Sequence, residues 1–152
     1  MDSINILIQD RHLIQQAVAD LSAQQLLTIP SGFDNNIAWN LGHIIVVQQL
    51  LHYRLCGLEM AVSDQQIAMF KTGTSPADWP TEPDLVPLMA LLPELPQKLL
   101  ADYQTDRFGD FTPFTTSTGV YLETLEDAIA FNNFHEGLHL GFILALRNIV
   151  VQ

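Results

Sequence analysis

Hydrophobic positions along this chain recur with the period of a helix. Ile4, Leu7, Ile8, Ile14, Ala17, Val18 and Leu21 follow three- and four-residue spacing, with Arg11-His12 and Gln15-Gln16 between them. This predicts an amphipathic first helix over 3–21. Ser22-Ala-Gln-Gln25 has the form of a capping box and starts a short extra turn. Pro30, Ser31, Gly32, Asp34 and Asn35 mark a loop. Asn35 or Asn36 then caps a second helix running to about Cys56, where Gly57 stops it. From Ile37 to Leu55 that helix is apolar on nearly every face, the pattern of a rod enclosed by neighbours.

A long connection follows over 57–83, and within it Ser63-Asp-Gln-Gln66 caps a short helix ending at Phe70. Leu85, Leu88, Leu92, Leu95 and Leu99 predict a third long helix over about 84–105. Pro87, Pro93 and Pro96 interrupt it, and a mid-helix proline costs about 3 kcal/mol. The expectation is therefore a helix that kinks, or restarts, near Pro93. Residues 107–121, with Phe108, Phe111, Phe114 and a threonine run, read as extended loop. Thr124-Leu-Glu-Asp127 caps a fourth long helix over about 125–150. Four long helices joined by long connections predict an all-α four-helix bundle with crossovers, a single domain over 1–152.

Composition narrows the partners. Seventeen acidic against six basic residues give a net charge of −11. The cations, Arg11, Arg54, Lys71, Lys98, Arg107 and Arg147, are scattered. Polyanion binding needs clustered Lys and Arg, so neither nucleic acid nor an anionic membrane is an expected partner. Only 15% of residues are charged, against roughly 25% in soluble domains, which points to apolar area covered in a subunit interface. The single cysteine, Cys56, suits a reducing cytoplasm. The opening Met-Asp-Ser-Ile-Asn lacks the basic and apolar regions of a signal peptide, so a cytoplasmic setting is expected.

The sharpest chemical feature is His135-Glu136-Gly137-Leu138-His139. Histidines at i and i+4 on a helix lie about 40° apart around its axis and can converge on one ion at about 2.0–2.1 Å each. They share their face with Ala128, Phe131, Asn132, Phe142 and Leu146, which is otherwise apolar. Two imidazoles on one buried face lower each other's proton affinity and need partners for four nitrogens, which weighs against two ordinary core histidines. The same five residues match a zinc-protease pattern. That reading fails on context, because Ala145 stands where a third histidine is required and Phe142 where a glycine is. For a third ligand the candidates are His12, His43 and His52. His12 lies opposite the apolar stripe of its helix. His52 lies about 180° from His43 and reads as a partly exposed helix-end residue. His43, flanked by Ile44, Ile45, Val46 and Val47, is the deepest.

Ile37-Ala-Trp39, then Asn40-Leu-Gly-His43, together with His135-x-x-x-His139-x-Gly141, resemble the DinB/YfiT-like superfamily over essentially the whole chain. The resemblance implies an up-down-down-up four-helix bundle, often a homodimer, with a metal triad at His43, His135 and His139. It also implies thiol-dependent S-transferase or isomerase chemistry with a low-molecular-weight thiol as cosubstrate. Members often carry glutamine after the glycine of the second motif, where this chain has Phe142. That places a ring where a polar group would stand.

Three neutral imidazoles leave coordination positions open on a divalent ion, the catalytic rather than the structural style of site. Zinc and nickel both accept imidazole. Such an ion lowers the pKa of bound water or activates a thiolate or carbonyl. Asn40, Asn132 and Glu136 are the candidates for orienting the ligands or lining a substrate pocket. Glu136 sits about 100° off the histidine face and reads first as a solvated carboxylate. Trp39, Phe131 and Phe142 read as pocket wall or core, and Cys56 as a buried, inert thiol. Two functions follow. One is a metal-dependent enzyme acting on a small molecule by thiol transfer, isomerisation or hydrolysis. The other is a non-catalytic, dimeric helical domain that binds a metal or ligand.

Overall fold

The computed structural model describes residues 2–152. Six α-helices account for most of the chain: α1 (Asp2–Val18), α2 (Ala23–Leu27), α3 (Ile37–His52), α4 (Asp64–Phe70), α5 (Leu85–Gln104) and α6 (Leu125–Val150). The capping boxes at Ser22, Ser63 and Thr124 all form. Each hydroxyl accepts the N3 backbone N–H, and the side chain of Gln25, Gln66 or Asp127 accepts the cap's own N–H. Asn36 caps α3 by accepting Trp39 N–H at 2.8 Å. Its other end donates to Leu27 O at 2.8 Å, which pins the α2–α3 connection.

The four long helices run up-down-down-up. Asn133 donates to Ser3 O and Arg147 to Ala17 O, so α1 and α6 are parallel. His43 meets His135 while Asn40 meets His139, so α3 runs against α6. Arg11 reaches both Ile44 O and Leu92 O, and the Tyr53 hydroxyl reaches Asp102, so α5 runs with α3. The connection between those two parallel rods carries α4, and the return from α5 to α6 carries a small hairpin. In that hairpin β1 (Phe114–Thr115) pairs antiparallel with β2 (Tyr121–Leu122), Phe114 opposite Leu122. The sequence predicts only loop there, since two-residue strands leave no periodic signal.

Helix α3 lies at the centre, buried almost all round, as its apolar pattern predicts. It ends at His52, and a 3₁₀ turn over Arg54–Cys56 follows. Gly57, at φ 67°, closes that turn in the left-handed region. Helix α1 stops at Val18, short of the expected 21. Helix α5 is continuous through Pro93 and Pro96, so of the expected kink or restart the restart does not occur. Pro87 falls in its first turn, where no helical partner for an N–H exists. Pro96 cannot donate to Leu92 O, and Arg11 Nη1 supplies a donor to that carbonyl at 3.4 Å instead. No helix among the described residues is long and apolar enough to cross a membrane.

His52 corrects a second expectation. It has no solvent exposure, and neither ring nitrogen has a hydrogen-bond partner. Burial holds its pKa down to about 3. The unfolded chain, with an ordinary histidine pKa near 6.5, then takes up a proton that the folded chain refuses. Stability is complete above that pH and is lost as pH falls below it. Replacing His52 with leucine should remove about 1.4 kcal/mol per pH unit from the acid slope of unfolding. Urea denaturation between pH 7 and pH 4 measures this, and an unchanged slope would refute it.

Candidate metal centre

His43, His135 and His139 come together where α3 faces α6, with one ligating atom of each within 4.8 Å of the others. His43 Nε2 and His135 Nε2 are 3.2 Å apart. Nitrogens bound at 2.0–2.1 Å to a tetrahedral ion lie about 3.3 Å apart, so this spacing suits a shared ion.

Fixed acceptors decide which nitrogens face the common point. His43 Nδ1 lies 2.7 Å from Phe70 O, and a carbonyl only accepts, so Nδ1 carries the proton and Nε2 keeps its lone pair. That carbonyl is in the last turn of α4, where no helical donor exists. Asn40 donates through Nδ2 to Asn36 O and Asn35 Oδ1. Its Oδ1 therefore accepts from His139 Nδ1, at 2.7 Å, which frees His139 Nε2 as well. Asn40 thus holds the His139 ring and also satisfies a buried backbone carbonyl. His135 Nδ1 is buried without a partner, while Phe131 stacks on its ring at 6.3 Å. Two imidazole lone pairs 3.2 Å apart repel each other unless a proton or a cation lies between them. The cluster is compatible with a metal-binding site.

Burial depresses all three rings. It lowers His43 against the opposing pull of Phe70 O. It takes His135 to about 4, helped by His43 and then Arg11. It takes His139 to about 3, helped by His43 and His135. At neutral pH all three imidazoles are uncharged.

The approach to this cluster depends on one glycine. A Cβ at Gly42 would overlap the ring of Phe70. Its absence lets α4 settle onto α3, with the Phe70 carbonyl aimed at His43. Trp39 stacks on His43 at 4.6 Å and donates to Thr74 at 3.0 Å. A cleft of about 370 Å³ opens beside the histidines, walled by Trp39, Leu138 and Phe142. Trp39 and Phe142 thus form pocket wall, as the sequence suggests. The larger cavity, about 460 Å³ around Tyr103, Phe108 and Glu126, contains none of the three histidines.

Glu136 is not a solvated carboxylate. It has no exposure and receives Arg11 Nε at 2.5 Å and Nη2 at 2.8 Å, with Asn132 Nδ2 at 2.9 Å. Burial pushes its carboxyl up against the pull of both partners. Asn132 braces this carboxylate rather than a histidine. Arg11 is equally buried, although the sequence read it between apolar positions. The available signal was its place in the run Ile4, Leu7, Arg11, Ile14, Val18, the buried stripe of α1. His12 stays exposed and pairs with Gln16. Cys56 is half-buried and outside the cluster, its thiol pushed up by burial and then by Glu126.

A family profile described as the DinB superfamily matches residues 6–143. No curated protein matches the chain.

Removing one member of the buried pair leaves the other charge uncompensated. Glu136→Leu should cost about 3–5 kcal/mol of unfolding free energy. Adding Arg11→Met should recover at least half of that loss. Denaturant titration of both variants checks this, and a loss under about 1 kcal/mol in the single variant would contradict it.

Proposed function

The chain belongs to the DinB superfamily, and from that premise we propose a metal-dependent enzyme acting on a small molecule. His43, His135 and His139 hold one divalent ion, zinc or nickel, in a cytoplasmic protein. The observation that carries the reading is the orientation of the rings. Phe70 O and Asn40 Oδ1 each occupy an Nδ1 proton, which leaves two Nε2 lone pairs for a common ion.

An ion held there supplies Lewis acidity and at least one coordination position beyond its histidines. The protein's own groups do the rest. Asn40 and the Phe70 carbonyl fix two rings, and the stacked Trp39 shields His43 from solvent. Trp39, Leu138 and Phe142 hold a substrate beside the ion and keep water from it. The cluster has three members among the described residues, and a purely structural ion would call for a fourth protein ligand and no cleft. This supports the catalytic reading over the stabilising one. The reaction is of transferase, isomerase or hydrolase type, and a low-molecular-weight thiol is the cosubstrate that the family resemblance suggests.

Protein purified without added metal should contain close to one zinc or nickel per chain by elemental analysis. His43→Ala should lose that metal while keeping its helical circular dichroism. Full retention of metal in this variant would defeat the ligand assignment.

A homodimer completes the proposal. Ile6 and Leu13 on α1, with Phe134 and Leu144 on α6, are exposed, and the two helices pack side by side. On a chain of net charge −11, exposed apolar side chains like these are where two copies meet with the least repulsion. Phe134→Lys combined with Leu144→Lys should convert a dimer to a monomer in sedimentation equilibrium. A wild-type chain that sediments as a monomer at high micromolar concentration would refute the dimer.

A further inference from the structure

The cleft beside the histidines has no charged side chain in its wall. Its apolar surfaces are Trp39, Leu138 and Phe142, and its polar groups come from Asn35, Asn40 and Thr72 besides the histidines. Most of that polarity is already spent. Both Asn40 amide hydrogens and its oxygen are bonded within the protein, and Trp39 Nε1 is committed to Thr74. The Asn35 amide nitrogen and the Thr72 hydroxyl remain, both toward the outer edge.

The chain has few cations to lend. Arg11 is closed off with Glu136, Lys98 and Arg107 share Asp102, and Arg147 pairs with Asp20. Arg54 and Lys71 are left, and Lys71 is an exposed neighbour of Thr72 at the rim. A charged group on the ligand's tail, beyond reach of the ion, would find no charged partner in this cleft wall. The seventeen acidic residues repel anions at longer range.

We infer that the site selects a small, mostly apolar molecule with one metal-seeking head group and an uncharged tail lying between Trp39, Leu138 and Phe142. Thiols with charged tails, and dicarboxylates whose second carboxylate lies beyond the ion, bind less tightly. The inference rests on the metal reading for the head group alone, because tail selection belongs to the cleft wall.

The test has two arms. In cobalt-substituted protein, the visible spectrum is titrated with phenylmethanethiol, glutathione and mercaptosuccinate at one pH and ionic strength. Phenylmethanethiol should saturate at a concentration at least ten-fold lower than either charged thiol. Phe142→Lys should leave the cobalt spectrum in place and narrow that preference toward mercaptosuccinate. Equal or tighter binding of glutathione or mercaptosuccinate would overturn the inference. The second arm uses metal-free protein and follows the methyl resonances of Leu138 by NMR. Phenylmethanol should shift them and malonate should not, and the reverse pattern, or no response to phenylmethanol, would overturn the inference. A chain that takes up no cobalt yet responds to phenylmethanol in this way would sink the metal reading and sustain the tail selection.

Discussion

One guanidinium touches all four long helices. Arg11 leaves α1, meets Glu136 on α6 with two nitrogens, and donates to Ile44 O and Gln48 on α3 and to Leu92 O on α5. A charge pair at this depth is weak evidence for stability, since desolvation offsets much of the attraction. Its effect is on which arrangement can form. Helix α3 is apolar on nearly all sides, so burial alone would accept it at many rotations about its axis. Only a rotation that presents the Ile44 carbonyl and Gln48 to α1 satisfies Arg11. The same condition fixes α6, because Glu136 must face inward.

Once Glu136 points at Arg11, its neighbours have little freedom. His135 lies one residue before it and His139 three after, so both flank the carboxylate on the side toward α3. That is where His43 stands, set by the rotation Arg11 imposes on α3. The Phe70 carbonyl and Asn40 then hold the rings themselves. On the metal reading, rings held in place by the protein limit the ordering cost of binding an ion. The burial that keeps the imidazoles neutral serves the same end, since a protonated ring cannot ligate.

Much of this was legible from residues. The capping signals at Ser22, Ser63 and Thr124 are local chemistry, and local chemistry survives folding. The pairing of His43 with His135 and His139 was legible from the i, i+4 spacing together with the family resemblance, since burial does not single out His43 over the fully buried His52. The errors begin with buried polar side chains. Glu136 and His52 were assigned to solvent or its edge on the default for polar side chains, Arg11 was read only as lying between apolar positions, and all three are fully buried. His52 is buried with both ring nitrogens unpartnered, and its sequence neighbours do not signal that. For Arg11 and Glu136 the default fails because each satisfies the other across helices distant in sequence, which single-helix periodicity does not report. Pro93 and Pro96 misled for a related reason. A proline's cost is reckoned within its own helix, whereas the carbonyl freed by Pro96 finds its donor on α1. The Phe114–Leu122 hairpin was too short to show a period.

The placement of cations joins the scaffold to the chemistry. Four of the six basic residues are held in ion pairs, and the one nearest the centre is sealed under the site. The protein thus spends its positive charge on fixing helices and leaves none in the cleft wall. Neutral histidines add none at physiological pH, since all three are held below their ordinary pKa by burial. On the proposed reading, any electrophilic pull on a substrate would come from the ion at the three rings. An apolar cleft strengthens that pull, because a cation acts further in a medium of low dielectric than in water. The scarcity of charge that first suggested a hidden interface is, at this site, a condition for a single ion to dominate the field.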